Sequence, residues 1–188
     1  MSTKEEKSRV RREVLLQTRL QDKTIKAEED RKIIEFLFNT VEYGTAKTIF
    51  AYVGTETEID TVPLLKAAIK DGKLLFVPLC IGEGEMALKR ITSLSELHAG
   101  FHGIMEPDAD APEILPDELD LAIIPCVSCA QDGRRLGYGG GFYDRFLAQY
   151  KGLSIMLCRT AHMREDIPTD RYDINVHTII TEKGIINN

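Results

Sequence analysis

Thr48-Ile49-Phe50-Ala51-Tyr52-Val53 is the point at which the chain changes its hydrophobic period. The run is apolar, rich in β-branched and aromatic residues, and has no polar face, which reads as a buried strand. Upstream the period is helical. Ser2 with Glu5 three residues later forms a capping box, and Lys4 to Leu20 then has few breakers and apolar positions at Val10, Val14, Leu15 and Leu20. A second helix is expected roughly from Ala27 to Val41, with Ile33, Ile34, Leu37 and Phe38 on one face and Tyr43-Gly44 ending it. Downstream, Thr61 caps a helix through Ile69 that stops at Asp71-Gly72. Further strands are expected at Leu74 to Val77, Met86 to Ile91, Leu119 to Ile124, Leu153 to Leu157 and Val176 to Thr181. Met105 to Glu118, rich in Pro, Asp and Glu, reads as a long surface loop. Strands alternating with helices imply an α/β fold with a layered, open, largely parallel sheet flanked by helices.

In such a Rossmann-like arrangement, ligands collect beyond the C-terminal ends of the strands. Three features are expected there: Gly54 to Asp60, a glycine loop after Ile124, and an Asp-rich stretch before Val176. The loop is Arg134-Arg135-Leu136-Gly137-Tyr138-Gly139-Gly140-Gly141-Phe142-Tyr143-Asp144, with four glycines in five positions. Glycine permits positive φ and close backbone approach, and successive bare N–H groups make an anion-binding concavity. Phe142 to Tyr150 reads as a helix whose N-terminus would face the same anion. Arg134 and Arg135 add forked, permanently charged donors suited to phosphate. The loop is neither a Walker A sequence nor the dinucleotide fingerprint.

Composition bounds the rest. With 188 residues, 43% hydrophobic and 29% charged, the chain matches one soluble globular domain spanning residues 1–188. A net charge of −6 and a pI near 5.3 argue against general affinity for nucleic acid. No apolar run approaches the ~20 residues needed to span a bilayer. Met1 to Arg12 is too charged for a secretory signal, so a cytoplasmic location is expected. Cys126-x-x-Cys129 has neither a second Cys pair nor a neighbouring His in sequence, and these residues read as ordinary buried or half-buried thiols. The histidines His98, His102, His162 and His177 show no ligand spacing, and no nucleophile elbow occurs.

Several residues admit two readings. Lys7 and Arg11 are i,i+4 neighbours that share a helix face with other basic residues, which by itself describes a solvated basic surface. Glu56, Glu58 and Asp60 follow the strand in Thr55-Glu56-Thr57-Glu58-Ile59-Asp60-Thr61; alternate carboxylates could face a ligand and one could accept paired N–H groups from a heterocycle, or the stretch is a polar loop with Thr61 as helix cap. Asp144 and Asp173 are hard oxygen donors of the type that hold Mg²⁺ beside phosphates, although a first-turn carboxylate such as Asp144 also suits a helix dipole.

Taken together, these residues resemble the 5-formyltetrahydrofolate cyclo-ligase (5,10-methenyltetrahydrofolate synthetase) family over nearly the whole chain. The most specific match is Gly133-x-Arg135 through Asp144. Weaker ones are Lys7-x-x-Val10-Arg11, Glu58-Ile59-Asp60-Thr61, Gly103-Ile104-x-Glu106-Pro107, and Ile167-Pro168 through Asp173, in the family's order. The resemblance implies ATP- and Mg²⁺-dependent closure of 5-formyltetrahydrofolate to 5,10-methenyltetrahydrofolate, with release of ADP and phosphate. It assigns catalytic roles to Arg135 and Lys7, and ATP contacts to Lys7, Arg11, Arg135, Leu136, Gly137, Tyr138, Gly139, Gly140, Gly141, Phe142 and Tyr143. Val53, Glu58, Tyr138 and Phe142 would meet the folate, and Asp144 and Asp173 the metal. Val10 replaces the usual Leu, and His177 stands where an acidic residue is expected.

A formyl amide is a poor electrophile, and oxide is a hopeless leaving group. Phosphorylation of the formyl oxygen gives an imidate that N10 can attack, so positioning and charge stabilisation would suffice without a protein nucleophile. The expected partner is a small molecule, with no nucleic acid or membrane, and the expected state is a monomer or weak homo-oligomer. The alternatives are a non-catalytic folate- or nucleotide-binding relative, or an ATP-dependent ligase of another small substrate.

Overall fold

The computed structural model describes residues 2–100 and 103–188. His102 lies outside the described residues. Helices α1 (Thr3–Leu20), α2 (Lys23–Phe38) and α3 (Val41–Thr45) precede the first strand, β1 (Thr48–Ala51). After α4 (Val62–Lys70) come β2 (Leu74–Gly82), β3 (Glu85–Ile91), β4 (His98–Ala99), β5 (Met105–Glu106), β6 (Glu113–Ile114), β7 (Leu121–Ile124), β8 (Ser128–Cys129) and β9 (Arg135–Leu136). Helix α5 (Phe142–Gln149), β10 (Leu153–Leu157), β11 (Thr178–Thr181) and β12 (Gly184–Asn187) complete the chain. No helix among the described residues is long and apolar enough to cross a membrane.

Eight strands form one sheet in the order β12-β11-β10-β7-β1-β2-β3-β6. The middle, from β11 to β2, is parallel, and the edges are antiparallel. The pleat divides β1 between two cores. Ile49 and Ala51 pack with Ile33, Ile34 and Leu37 of α2 and Leu64 and Leu65 of α4. Phe50 points the other way, onto Phe146, Leu147 and Tyr150 in and after α5. Both faces of the sheet are therefore covered, as the uninterrupted apolar run requires.

The chain leaves β1 through α4 to reach β2, then returns on the other side of β1 as β7. The direction of winding reverses at β1, which makes the C-terminal ends of β1 and β7 the topological switch point where folds of this kind bind ligands. Helix α1 packs away from both main cores. Val10 and Val14 meet Val127, Ala130, Leu136 and Ile167, so α1 braces the segments that carry the glycine loop.

The expected second helix is two. Asp22 caps α2 by accepting from the N–H of Thr24 and Ile25. Thr40 Oγ1 then accepts from Tyr43 N at 3.1 Å and opens α3, so Tyr43 and Gly44 lie inside a helix. Phe38 is 36% exposed and packs against the Tyr43 ring at 5.0 Å. Thr61 stands at the start of α4, but its hydroxyl is used elsewhere: it donates to Tyr52 O and accepts from Gly54 N, while Asp60 Oδ1 accepts from Val62 N. The stretch expected to be one loop, Met105 to Glu118, contains β5 and the edge strand β6, and Glu106 within it is buried and accepts from Cys80 N at 3.0 Å. Strand β12 carries no sequence signal beyond a short apolar pair, Ile185-Ile186, whose exposure alternates.

Candidate functional site

Burial of Val10 and Val14 fixes the rotation of α1, and Lys7 and Arg11, three residues before and one after Val10, are carried to the Asp170–Asp173 stretch and the glycine loop. Lys7 is only 7% exposed. Its ammonium donates to Asp170 Oδ2 at 2.7 Å and to Asp173 Oδ1 and Oδ2 at 2.7 and 2.5 Å. Arg11 Nε donates to Gly137 O at 2.7 Å, and its guanidinium lies against Gly139, where a Cβ would stand 3.4 Å from Cζ. Burial draws the Arg11 pKa down, opposed by the charges of Asp173 and Asp144.

Arg135 is 3% exposed. Its Nη2 donates to Asp144 Oδ1 at 2.7 Å and its Nη1 to Pro125 O at 3.4 Å, and Cζ lies 5.9 Å from the centre of the Tyr143 ring. Its Nε is buried without a hydrogen-bond partner among the described residues. Gly137 lets the guanidinium lie close, because a Cβ there would come 2.6 Å from Arg135 Nη1 and push it aside. Gly141 starts α5 in the left-handed region, φ 74°, which favours glycine. Leu136 is 1% exposed and packs on Val10 and Val14, so its side chain anchors the loop and leaves its backbone to line the site. Arg145, which sequence reasoning missed, donates to Gly140 O and Gly84 O, both at 3.2 Å, and ties the loop to the β2–β3 turn.

A second group lies beyond β1. Tyr52 and Val53 are buried, and the Glu58 carboxylate accepts from Thr55 N at 2.9 Å and Thr55 Oγ1 at 2.8 Å. Burial raises the Glu58 pKa, and those two hydrogen bonds partly offset the shift. The Tyr138 hydroxyl meets Thr57 Oγ1 at 3.2 Å, which closes the glycine loop over the β1 loop. Tyr143 is half-buried 6.3 Å from the Phe50 ring, and half-buried Phe142 packs under Gly140.

Arg159 and Asp30 were also missed, being 129 residues apart with no local motif. Arg159 is 1% exposed, forms two 2.8 Å hydrogen bonds to Asp30, and donates to Glu58 O at 2.9 Å. Asp30 in turn accepts from Asp60 N, so the chain from Glu58 to Asp60 is held at two points by one buried ion pair.

Cys158 joins Cys126 and Cys129, bringing three Sγ atoms within 4.8 Å of one another. The Cys126 thiol donates to Leu157 O at 3.5 Å and the Cys158 thiol to Arg159 O at 3.4 Å, and the closeness of the three thiols draws the Cys126 pKa down while pushing those of Cys129 and Cys158 up. The expected isolation of Cys126 and Cys129 therefore holds along the chain but not in space.

The 5-formyltetrahydrofolate cyclo-ligase family model matches residues 3–182. The chain is 31% identical over 146 residues to the Escherichia coli (strain K12) 5-formyltetrahydrofolate cyclo-ligase, covering 74% of this chain and 80% of that protein. It is 29% identical over 164 residues to a probable 5-formyltetrahydrofolate cyclo-ligase of Schizosaccharomyces pombe, covering 78% and 80%. Among solved structures, Aquifex aeolicus 5,10-methenyltetrahydrofolate synthetase superposes with a TM-score of 0.86 at 31% identity, over 96% of this chain and 92% of that one.

Proposed function

The chain belongs to the 5-formyltetrahydrofolate cyclo-ligase family and is an enzyme that cyclises 5-formyltetrahydrofolate, and we propose that it does so within one domain over residues 1–188, with ATP on the glycine loop and the folate beside β1. Arg135 carries this assignment: a buried guanidinium keeps one N–H donor unpaired at the base of a glycine loop, a poor arrangement for stability alone and a good one for an arriving phosphate.

Lys7, Arg11 and Arg135 stand beside Asp144, Asp170 and Asp173, so the phosphate end is self-neutralised. That pairing supports ATP arriving together with Mg²⁺: the cations turn from carboxylates to phosphates, and the freed carboxylates find a new cation. Asp144 and Asp173 are hard oxygen donors and would hold Mg²⁺, which when bound offsets charge on the phosphoryl group in transfer. Lys7 and Arg135 are the catalytic residues of this step, because they bear on the oxygens where charge develops. Arg11 and the amides of Gly137 to Gly141 hold the remaining phosphates.

At the other end, Glu58 accepts N–H groups of the pterin, Val53 forms a wall, and Tyr138 and Phe142 close over the ring. The loop residues Tyr138 to Phe142 thereby face both ligands. The formyl oxygen attacks the γ-phosphorus and ADP leaves. N10 then attacks the imidate carbon and loses its proton, and the C–O bond breaks to release phosphate. The oxygen balance is directly testable. With ¹⁸O in the formyl group, one ¹⁸O is expected in the phosphate released per methenyl product. Label recovered in water would overturn the phosphorylated intermediate.

A further inference from the structure

We propose that Cys126, Cys129 and Cys158 form a binding site for a thiophilic monovalent cation, Cu(I), at the C-terminal ends of β7 and β10. The two strands are parallel neighbours, in register from Leu121 with Leu153 to Ile124 with Met156. Their ends therefore lie side by side, with Cys126 following β7 after one proline and Cys158 directly following β10. Cys129 comes back to the same place because β8 pairs with β9 and bridges to Met163. Two segments of chain, 126–129 after β7 and the residue after β10, thus bring three sulfurs to one point.

The spacing suits a metal. Sulfurs about 2.3 Å from a central ion lie roughly 3.8 Å apart in tetrahedral geometry and about 4.0 Å apart in a trigonal plane. The three Sγ atoms already lie within 4.8 Å of one another, so closure asks each pair for less than about 1 Å. Cys129 and Cys158 are 0% and 2% exposed and fixed by packing, while half-buried Cys126 provides the way in.

The donor set selects the ion. Three sulfurs with no carboxylate or imidazole among the described residues of the cluster exclude Mg²⁺ and Ca²⁺ and favour soft cations. Structural zinc takes four ligands, whereas three thiolates alone suit Cu(I) better. The position also suits the charge. Cys126 follows Pro125, whose carbonyl accepts from Arg135, so a guanidinium stands beside a complex of three thiolates and one monovalent cation. A second Cys pair is absent from the chain, and proximity of Cys158 to the other two depends entirely on the pairing of β7 with β10.

The test is anaerobic competition for Cu(I) between the fully reduced protein and the chromophoric chelator bicinchoninate. Wild type, Cys129→Ser, Cys158→Ser and the remote control Cys80→Ser would be compared, and X-ray absorption would be recorded on the wild-type complex. Wild type and Cys80→Ser are expected to hold one equivalent. Each of the other variants should lose more than the roughly 100-fold that disturbing a ligand's partner costs. The copper should show a single shell of three sulfurs. Failure of the wild type to take copper from the chelator, equal retention by Cys129→Ser and Cys158→Ser, or a two-sulfur shell would overturn the site. The sulfur count needs only wild-type protein, so it decides even if a serine variant does not fold.

Discussion

The two ends of the site handle charge in opposite ways. At the proposed phosphate end two of the three cations are paired with carboxylates, Lys7 with Asp170 and Asp173 and Arg135 with Asp144, while Arg11 donates to Gly137 O. At the proposed folate end the Glu58 carboxylate is desolvated and receives neutral hydrogen bonds from Thr55, and the nearby Arg159 is paired with Asp30 and donates to the Glu58 carbonyl rather than to its carboxylate. An end that exchanges ionic partners keeps its charges paired and strong. An end that reads a neutral heterocycle keeps one acceptor in an environment of low polarity, where each hydrogen bond discriminates more sharply.

The largest effect expected to separate the two ends is at Arg135. The sequence alone predicts that Arg135→Ala and Asp144→Ala lose turnover far more than stability. Burial of Arg135 makes Arg135→Lys the cleaner change, since it keeps the charge and loses the fork. Turnover should fall about 10²- to 10³-fold, the usual cost of a preorganised charge-stabilising donor, with folate affinity unchanged. Rates and folate binding measured on the same preparation would check it. An equal loss of both would merge the ends.

Asp173→Asn comes next. It removes a proposed metal donor and a counterion of Lys7, so the Mg²⁺ concentration giving half-maximal rate should rise, by about tenfold if one charged contact is lost. A Mg²⁺ titration at saturating folate measures this, and an unchanged midpoint would leave Asp173 as the partner of Lys7 alone.

Glu58→Gln should weaken folate binding about tenfold, near the lower end for a charged hydrogen bond, and leave nucleotide affinity alone. Folate binding should also fall with acid. Because burial raises the Glu58 pKa above its ordinary 4.5, the loss should centre above that value and vanish in Glu58→Gln.

An effect outside both ends concerns the scaffold under α1. His162 is buried against Thr18 Oγ1 at 3.1 Å, and burial lowers its pKa to about 4 from 6.5. Between those values the unfolded chain binds more protons than the folded one, so stability should fall as pH drops from 6.5 towards 4, by up to about 3 kcal/mol. Denaturant midpoints against pH would show the slope, and His162→Gln should flatten it.

Much of the fold was legible because local signals agreed with it. The β1 run, the Ser2–Glu5 capping box and the strand at Leu153 to Leu157 each match an element of the fold. The split at Thr40 was hidden because a hydroxyl cap can open α3 without any Pro or Gly. Strand β6 was hidden because a two-residue edge strand has no period to read. At the site, the glycine loop and the i,i+4 pair Lys7 and Arg11 could be found from spacing. The Arg159–Asp30 tie and the third thiol, Cys158, could not, because each is brought in by strand order. Spacing also gave no sign that Leu136 would be an anchor in the core rather than an open side chain of the loop.

The most direct measurement is near-ultraviolet absorption after mixing the protein with 5-formyltetrahydrofolate and Mg²⁺, with and without ATP. Methenyl absorption that grows only with ATP, matched one to one by ADP, is the expected result. Product without ATP, or ADP release with no methenyl product, would contradict a site in which phosphoryl transfer drives ring closure.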